Sequence, residues 1–163
     1  MPIFFSVTVD QLIGEQSLAV NSDASSQIAP SSMRNIINLP LIPWKQLLEN
    51  NAGKNKYENI PFIGNISDEG YATLLPDYSM EPLFSQGSIL IFDPKKAFKD
   101  RSYVLVKLSE TNLPVFRQLL VDLDQNYLKP LNPDLNAFKM RLIKNNDKII
   151  ATLVEARQVY DEN

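Results

Sequence analysis

The sequence of 163 residues contains no cysteine and no histidine. Without cysteine the chain can form no disulfide bond, no thiolate nucleophile and no cysteine-ligated zinc or iron–sulfur site. Without histidine it has no histidine metal ligand and no Ser-His-Asp triad. We therefore expect neither a metal site nor a cofactor, and any catalysis has to use hydroxyl, carboxylate, lysine, tyrosine or arginine side chains.

Long apolar runs and an excess of positive charge are missing as well. No window approaches the roughly 18–20 uncharged apolar residues that span a bilayer, and the N-terminus lacks the features of a secretory signal. We therefore expect a cytoplasmic protein with no membrane partner. The net charge of −3, from 16 Lys+Arg and 19 Asp+Glu, argues against sequence-independent binding of nucleic acid by this chain.

The composition of what is present divides the chain into three parts. Residues 1–15 carry an apolar patch and one short helix candidate, too small to fold alone. Residues 16–38 are rich in Ser, Asn and Ala without a sustained apolar period, which predicts a linker and hence a flexible N-terminal arm. In residues 39–163, short apolar runs separated by turn residues predict a mainly β domain of mostly antiparallel strands. The predicted strands are Tyr71–Leu75, Ser88–Phe92, Tyr103–Leu108, Val115–Leu120, Tyr127–Pro130 and Lys148–Arg157.

Ser79 lies in the most informative stretch, in the motif Ser-Met-Glu-Pro after a predicted strand and a Pro-Asp turn. We expect it at the start of a short helical turn, where a hydroxyl lies beside unpaired backbone N–H groups that can stabilise an oxyanion. On local sequence alone, an ordinary helix N-cap is the commoner role of such a serine.

The order of several motifs along the chain resembles that of LexA-like repressors. Ser-Met-Glu-Pro is followed by Gly87, Asp-Pro at 93–94, Phe-Arg-Gln-Leu at 116–119 and Leu-Lys-Pro-Leu-Asn-Pro at 128–133. On these motifs, residues 39–157 are similar to the C-terminal, self-cleaving serine peptidase domain of LexA and lambdoid phage repressors. The resemblance implies a nucleophile position at Ser79, a buried neutral lysine as general base, and a homodimer. A desolvated lysine can lose its proton near neutral pH, so this chemistry needs no histidine.

The sequence departs from the family pattern at the base. The resemblance places Arg117 where the family has its lysine, and an arginine stays protonated and offers no acceptor. Lys107 and Lys129 are the other candidates, and we expect both to point to solvent, Lys107 because the alternation of its strand gives the buried face to its neighbours. Ser79 then lacks activation for acyl transfer.

The cleavage site departs from the family pattern too. The resemblance implies an Ala-Gly or Cys-Gly bond in the protein's own linker, and the matching position holds Leu47 and Leu48, which are bulkier. Ala52 and Gly53 follow in polar surroundings typical of a turn, where we do not expect cleavage. The joint loss of base and cleavable bond favours a dimerisation domain of a phage-type repressor that is not self-cleaving.

Two alternatives remain at this point. The chain could be an active self-cleaving repressor that uses an unexpected base and bond, or a relative of membrane signal peptidases, which fits poorly without a spanning segment. Residues 1–15 also resemble the C-terminal end of a helix-turn-helix domain, and the competing interpretation is an arm packed on the β domain. We expect operator DNA to be bound only through an upstream helix-turn-helix domain that this chain lacks.

Overall fold

A computed structural model describes residues 34–49 and 56–160 of the chain. These residues form nine strands and one short 3-10 helix. In chain order the elements are β1 (Ile36–Pro40), the 3-10 helix (Trp44–Gln46), β2 (Asn59–Ile63), β3 (Tyr71–Leu74), β4 (Ile89–Asp93), β5 (Tyr103–Lys107), β6 (Pro114–Asp122), β7 (Gln125–Lys129), β8 (Arg141–Leu142) and β9 (Lys148–Arg157). In these two stretches no helix is long and apolar enough to cross a membrane.

Seven of the strands form one antiparallel sheet in the order β3-β4-β9-β5-β6-β7-β8. The other two, β1 and β2, pair antiparallel in a separate sheet. A parallel bridge between Leu41 and Ala72 joins the segment after β1 to β3. The prediction of a mainly β domain with mostly antiparallel strands is confirmed.

All six predicted strands are present, each within two residues of its predicted ends. β1, β2 and β8 were not predicted as strands. β1 and β2 each contain a proline, Pro40 and Pro61, which usually marks an edge strand or none at all. β8 has only two residues and offers too short a pattern to recognise.

The boundary predicted at residue 38 lies inside β1, which begins at Ile36. The described residues from Ile36 onward belong to one compact unit. The helix-turn-helix remnant proposed for residues 1–15, and the linker up to residue 33, lie outside the described residues.

The main hydrophobic cluster joins the segment between β3 and β4 to the sheet. It contains Phe92 of β4 and Phe116 of β6, together with Met80 and Phe84 from the β3–β4 segment. The ring of Phe116 meets that of Phe84 edge to face at 5.1 Å and that of Phe92 at 5.5 Å. Edge-to-face pairs at this spacing are favourable beyond the area they bury. These contacts hold the segment that carries Ser79 in a fixed position on the sheet.

Candidate functional site

Ser79 lies near the start of a hydrogen-bonded turn between β3 and β4. The Glu81 N–H donates to the Tyr78 carbonyl at 3.2 Å and the Phe84 N–H donates to the Met80 carbonyl at 3.0 Å. The Gly87 N–H closes the segment on the Leu75 carbonyl at 2.8 Å, and Gly87 has a φ of 88°, which favours glycine. The segment therefore forms a short turn with Ser79 near its start, and in the described residues no regular helix lies between β3 and β4.

The hydroxyl of Ser79 connects an arginine with an aspartate. Arg117 Nη1 lies 2.8 Å from Ser79 Oγ, and Ser79 Oγ lies 2.6 Å from Asp77 Oδ1. A guanidinium can only donate and a carboxylate can only accept, so the hydroxyl accepts from Arg117 and gives its hydrogen to Asp77. The backbone N–H of Ser79 donates to the same Asp77 oxygen at 2.9 Å, so it is not free to stabilise an oxyanion.

A loop after β7 covers the serine. The N–H groups of Leu131 and Asn132 donate to the Ser79 carbonyl at 3.1 and 3.0 Å, and Asn132 Nδ2 donates to the Tyr78 carbonyl at 2.8 Å. The Tyr78 ring meets Phe138 of this loop edge to face at 5.2 Å. Ser79 is fully buried as a result, so a peptide carbonyl carbon cannot reach Oγ in this conformation.

Arg117 is positioned by its strand and by two hydrogen bonds. It lies on β6 opposite Val104 of β5, is partly buried, and donates from Nη1 to the Phe116 carbonyl at 2.7 Å as well as to Ser79. Burial lowers the pKa of its guanidinium, and the charge of Asp77 raises it in part. An arginine remains protonated even so, which makes Arg117 a hydrogen-bond donor and not a base.

The structure brings Ser79 and Arg117 together, as the motif order predicted. Lys129 is exposed at the end of β7, whereas Lys107 is partly buried. The alternation used to place Lys107 is absent, because Val104, Leu105 and Val106 of β5 are all fully buried. Within the described residues, the side chains bonded to the Ser79 hydroxyl are those of Arg117 and Asp77, so neither lysine occupies the position of a base.

Asp77 is the site residue that the sequence interpretation missed. The sequence pattern places it only in a Pro-Asp turn, whereas its side chain is bonded to both the amide and the hydroxyl of Ser79. The signal was local, because an aspartate commonly accepts the N–H two residues on. An Asp-x-Ser spacing therefore points to this contact, but not to the arginine that completes it.

The segment with Leu47 and Leu48 contributes no hydrogen bond to Ser79 in the part of the chain that the structure describes. Leu47 follows the 3-10 helix, packs against the main hydrophobic cluster and lines a cavity of about 340 Å³ beside Tyr71. Leu48 is partly buried. Tyr71 begins β3, whereas Ser79 follows the end of that strand. Residues 52–53, the Ala-Gly pair of this sequence, lie outside the described residues.

Comparisons with known proteins agree with the motif order. The family described as Peptidase S24-like matches residues 44–154, more than half of the chain. An uncharacterized HTH-type transcriptional regulator of Coxiella burnetii is 31% identical over 160 residues, which cover 94% of this chain and 73% of the relative. The HTH-type transcriptional regulator for conjugative element R391 of Providencia rettgeri is 29% identical over 129 residues, 72% of this chain and 59% of the relative.

A phage protein is similar over a shorter stretch. Repressor protein C2 of Salmonella phage P22 is 35% identical over 72 residues, which cover 44% of this chain and 32% of the repressor. The chain therefore spans about three fifths of the R391 regulator and a third of the phage repressor. What it shares with both is a portion of their length and not the whole protein.

Proposed function

Because the chain belongs to the Peptidase S24-like family, we propose that it is the dimerisation domain of a phage-type transcriptional repressor whose serine site does not cleave. The names of the relatives, two HTH-type regulators and one phage repressor, support a role in transcription. The protein acts in the cytoplasm, and operator DNA is recognised by a helix-turn-helix domain and not by the β domain. The arginine and aspartate on the Ser79 hydroxyl are the observation that carries the loss of cleavage.

Self-cleavage by the Ser-Lys chemistry of the family would need a base at position 117. As Oγ attacks the carbonyl carbon of the scissile peptide, its proton has to leave to a lone pair, and the leaving amine takes a proton back. The guanidinium of Arg117 has no lone pair for that proton. The full burial of Ser79 also opposes cleavage. So do the two leucines at the cleavage position. Each of these features separately opposes acyl transfer at this site.

We expect the purified protein to show no fragmentation that depends on Ser79. Incubation at neutral and at alkaline pH, followed by intact-mass spectrometry, is the measurement, because alkaline pH favours any base that can be deprotonated. The Ser79→Ala variant is the control and is expected to give the same spectrum as the unaltered chain. Fragments that accumulate with time and vanish in Ser79→Ala would contradict the proposal and favour the active self-cleaving repressor.

The proposed twofold assembly has its own test. Phe98, 48% exposed, lines a surface depression between the β4–β5 connection and β9, together with the partly buried Ile149 and Ile150 and the exposed Lys95 and Lys96. A half-exposed aromatic ring of this kind is a candidate for burial in an assembly. Sedimentation velocity at micromolar concentration is expected to give the mass of a dimer. A monomer throughout that range would overturn the dimerisation role while leaving the prediction on cleavage standing.

A further inference from the structure

We propose that Asp77 is a second residue, beside Arg117, that keeps Ser79 from acting as a nucleophile, so that a lysine at position 117 would not suffice to restore a Ser-Lys pair. This inference rests on the proposed loss of cleavage and adds to it a residue outside the motifs that identify the family. It makes Asp77 a positioning residue, which acts by deciding where the hydroxyl proton of Ser79 lies.

The first argument is the direction of the hydrogen bonds at the Ser79 hydroxyl. A serine hydroxyl has one hydrogen, and here the 2.6 Å contact gives it to Asp77 Oδ1. The side chain at position 117 therefore meets the lone pairs of Oγ and has to be a donor. A general base at that position needs the opposite arrangement, with the hydroxyl donating to it. As long as Asp77 accepts the proton, the hydroxyl has no hydrogen left to donate to the lone pair of a base at 117.

The second argument is the effect of the Asp77 charge on the pKa of a cation at position 117. An opposite charge within about 4–6 Å favours the protonated form of a cation and shifts its pKa by about 1–3 units. Asp77 is the charged group that acts on position 117, where burial alone would favour the neutral form. A buried lysine in place of Arg117 would therefore have a higher pKa with Asp77 than without it, because the charge of Asp77 opposes the desolvation that makes the lysine of the family neutral.

The other elements packed on β6 do not offset this charge. On β5 the residue opposite Arg117 is Val104, which is uncharged. On β7, Lys129 pairs with Gln118, whose side chain points to the opposite face of the strand from that of Arg117. Lys129 is exposed to solvent, where its field is screened. The electrostatic environment at position 117 is therefore set by burial and by Asp77.

The test compares Arg117→Lys with the double variant Arg117→Lys/Asp77→Asn. Asparagine keeps the oxygen that accepts the Ser79 N–H and removes the negative charge, so the turn is retained. The pKa of the lysine at 117 is measured by NMR on the Cε and Nζ of labelled lysine. We expect it to be lower in the double variant by about one unit or more. Equal pKa values in the two variants would overturn the inference.

Two controls separate a local effect from a general one. Arg117→Lys/Asp122→Asn removes a charge from the exposed end of β6 and is expected to leave the pKa of the lysine unchanged. Should the asparagine variant not fold, as judged by its thermal transition, Arg117→Lys/Asp77→Ser keeps a short acceptor and is expected to give the same shift. A pKa shift of equal size in the Asp122 control would show that the effect on the lysine is not specific to Asp77.

Failure of this inference and failure of the proposed function give different results. If Arg117→Lys alone produces fragments that require Ser79, Asp77 is not a second barrier, although the unaltered chain remains uncleaved as proposed. If the unaltered chain cleaves itself, the proposed function is wrong whatever the lysine pKa shows. Intact-mass spectrometry of these variants, each paired with its Ser79→Ala counterpart, distinguishes the two.

Discussion

Replacing Phe116 with alanine is expected to lower the free energy of unfolding by about 3–5 kcal/mol, the usual cost of deleting a buried aromatic ring. The side chain is 1% exposed and lies between Phe84 and Phe92 in edge-to-face contact. Its removal leaves a cavity that rigid aromatic neighbours fill poorly. Equilibrium unfolding in urea, with the midpoint and slope fitted together, measures the loss.

Leu113→Ala is the control, because an apolar side chain is deleted where it is 59% exposed and lies outside the surface proposed for the dimer. We expect that change to stay within about 0.5 kcal/mol, as is common at surface positions. Equal costs at the two positions would contradict the packing described for Phe116. We also expect the loss of the Phe116 ring to loosen the position of Ser79. Phe84 belongs to the segment that carries Ser79, and the Phe116 carbonyl accepts a hydrogen bond from Arg117.

Replacing Arg117 with alanine is expected to lower the free energy of unfolding by about 2–3 kcal/mol. The change removes hydrogen bonds to Ser79 Oγ and to the Phe116 carbonyl. A hydrogen bond to a charged group contributes about 1.5–3 kcal/mol, and the expected value stays in that range because Arg117 is only partly buried. Thermal and urea unfolding measure it.

Lys129→Ala is the control for this loss, since Lys129 is an exposed cation on the neighbouring strand and is expected to change stability by less than about 0.5 kcal/mol. Residues kept for catalysis often reduce stability, so that their removal is neutral or favourable. A neutral or stabilising effect of Arg117→Ala would therefore count against a structural role at the site. A clear loss of stability supports the view that the arginine now holds the turn on the sheet.

The strands that could be predicted from the sequence are those whose pattern is local. β9 carries a long β-branched and apolar run and was predicted with both ends correct, from Lys148 to Arg157. β1 and β2 were missed because their partners are each other, 19 to 27 residues apart, and because a proline ends β1 and another lies inside β2. Pairing at an edge tolerates a proline, and the local pattern alone does not reveal that a partner exists.

The candidate site was predicted in part, for a similar reason. The motif order places Ser79 and Arg117 at corresponding positions, and the structure joins them across 38 residues. Asp77 lies outside the motifs of the family, and an aspartate in a turn is too common to indicate a site. The role of Asp77 depends on Arg117, which donates to the same hydroxyl of Ser79 and lies on the distant strand β6.

The sequence by itself determined the chemistry that is impossible here, because the absence of histidine and cysteine excludes those side chains in any fold. It also determined the mainly β domain, through apolar runs bounded by turn residues. Only the tertiary structure decided the state of Ser79, which is buried between Asp77 and Arg117. The physical reason is that the direction of a hydrogen bond and the field of a charge depend on distances between segments, which the folding of the sheet sets.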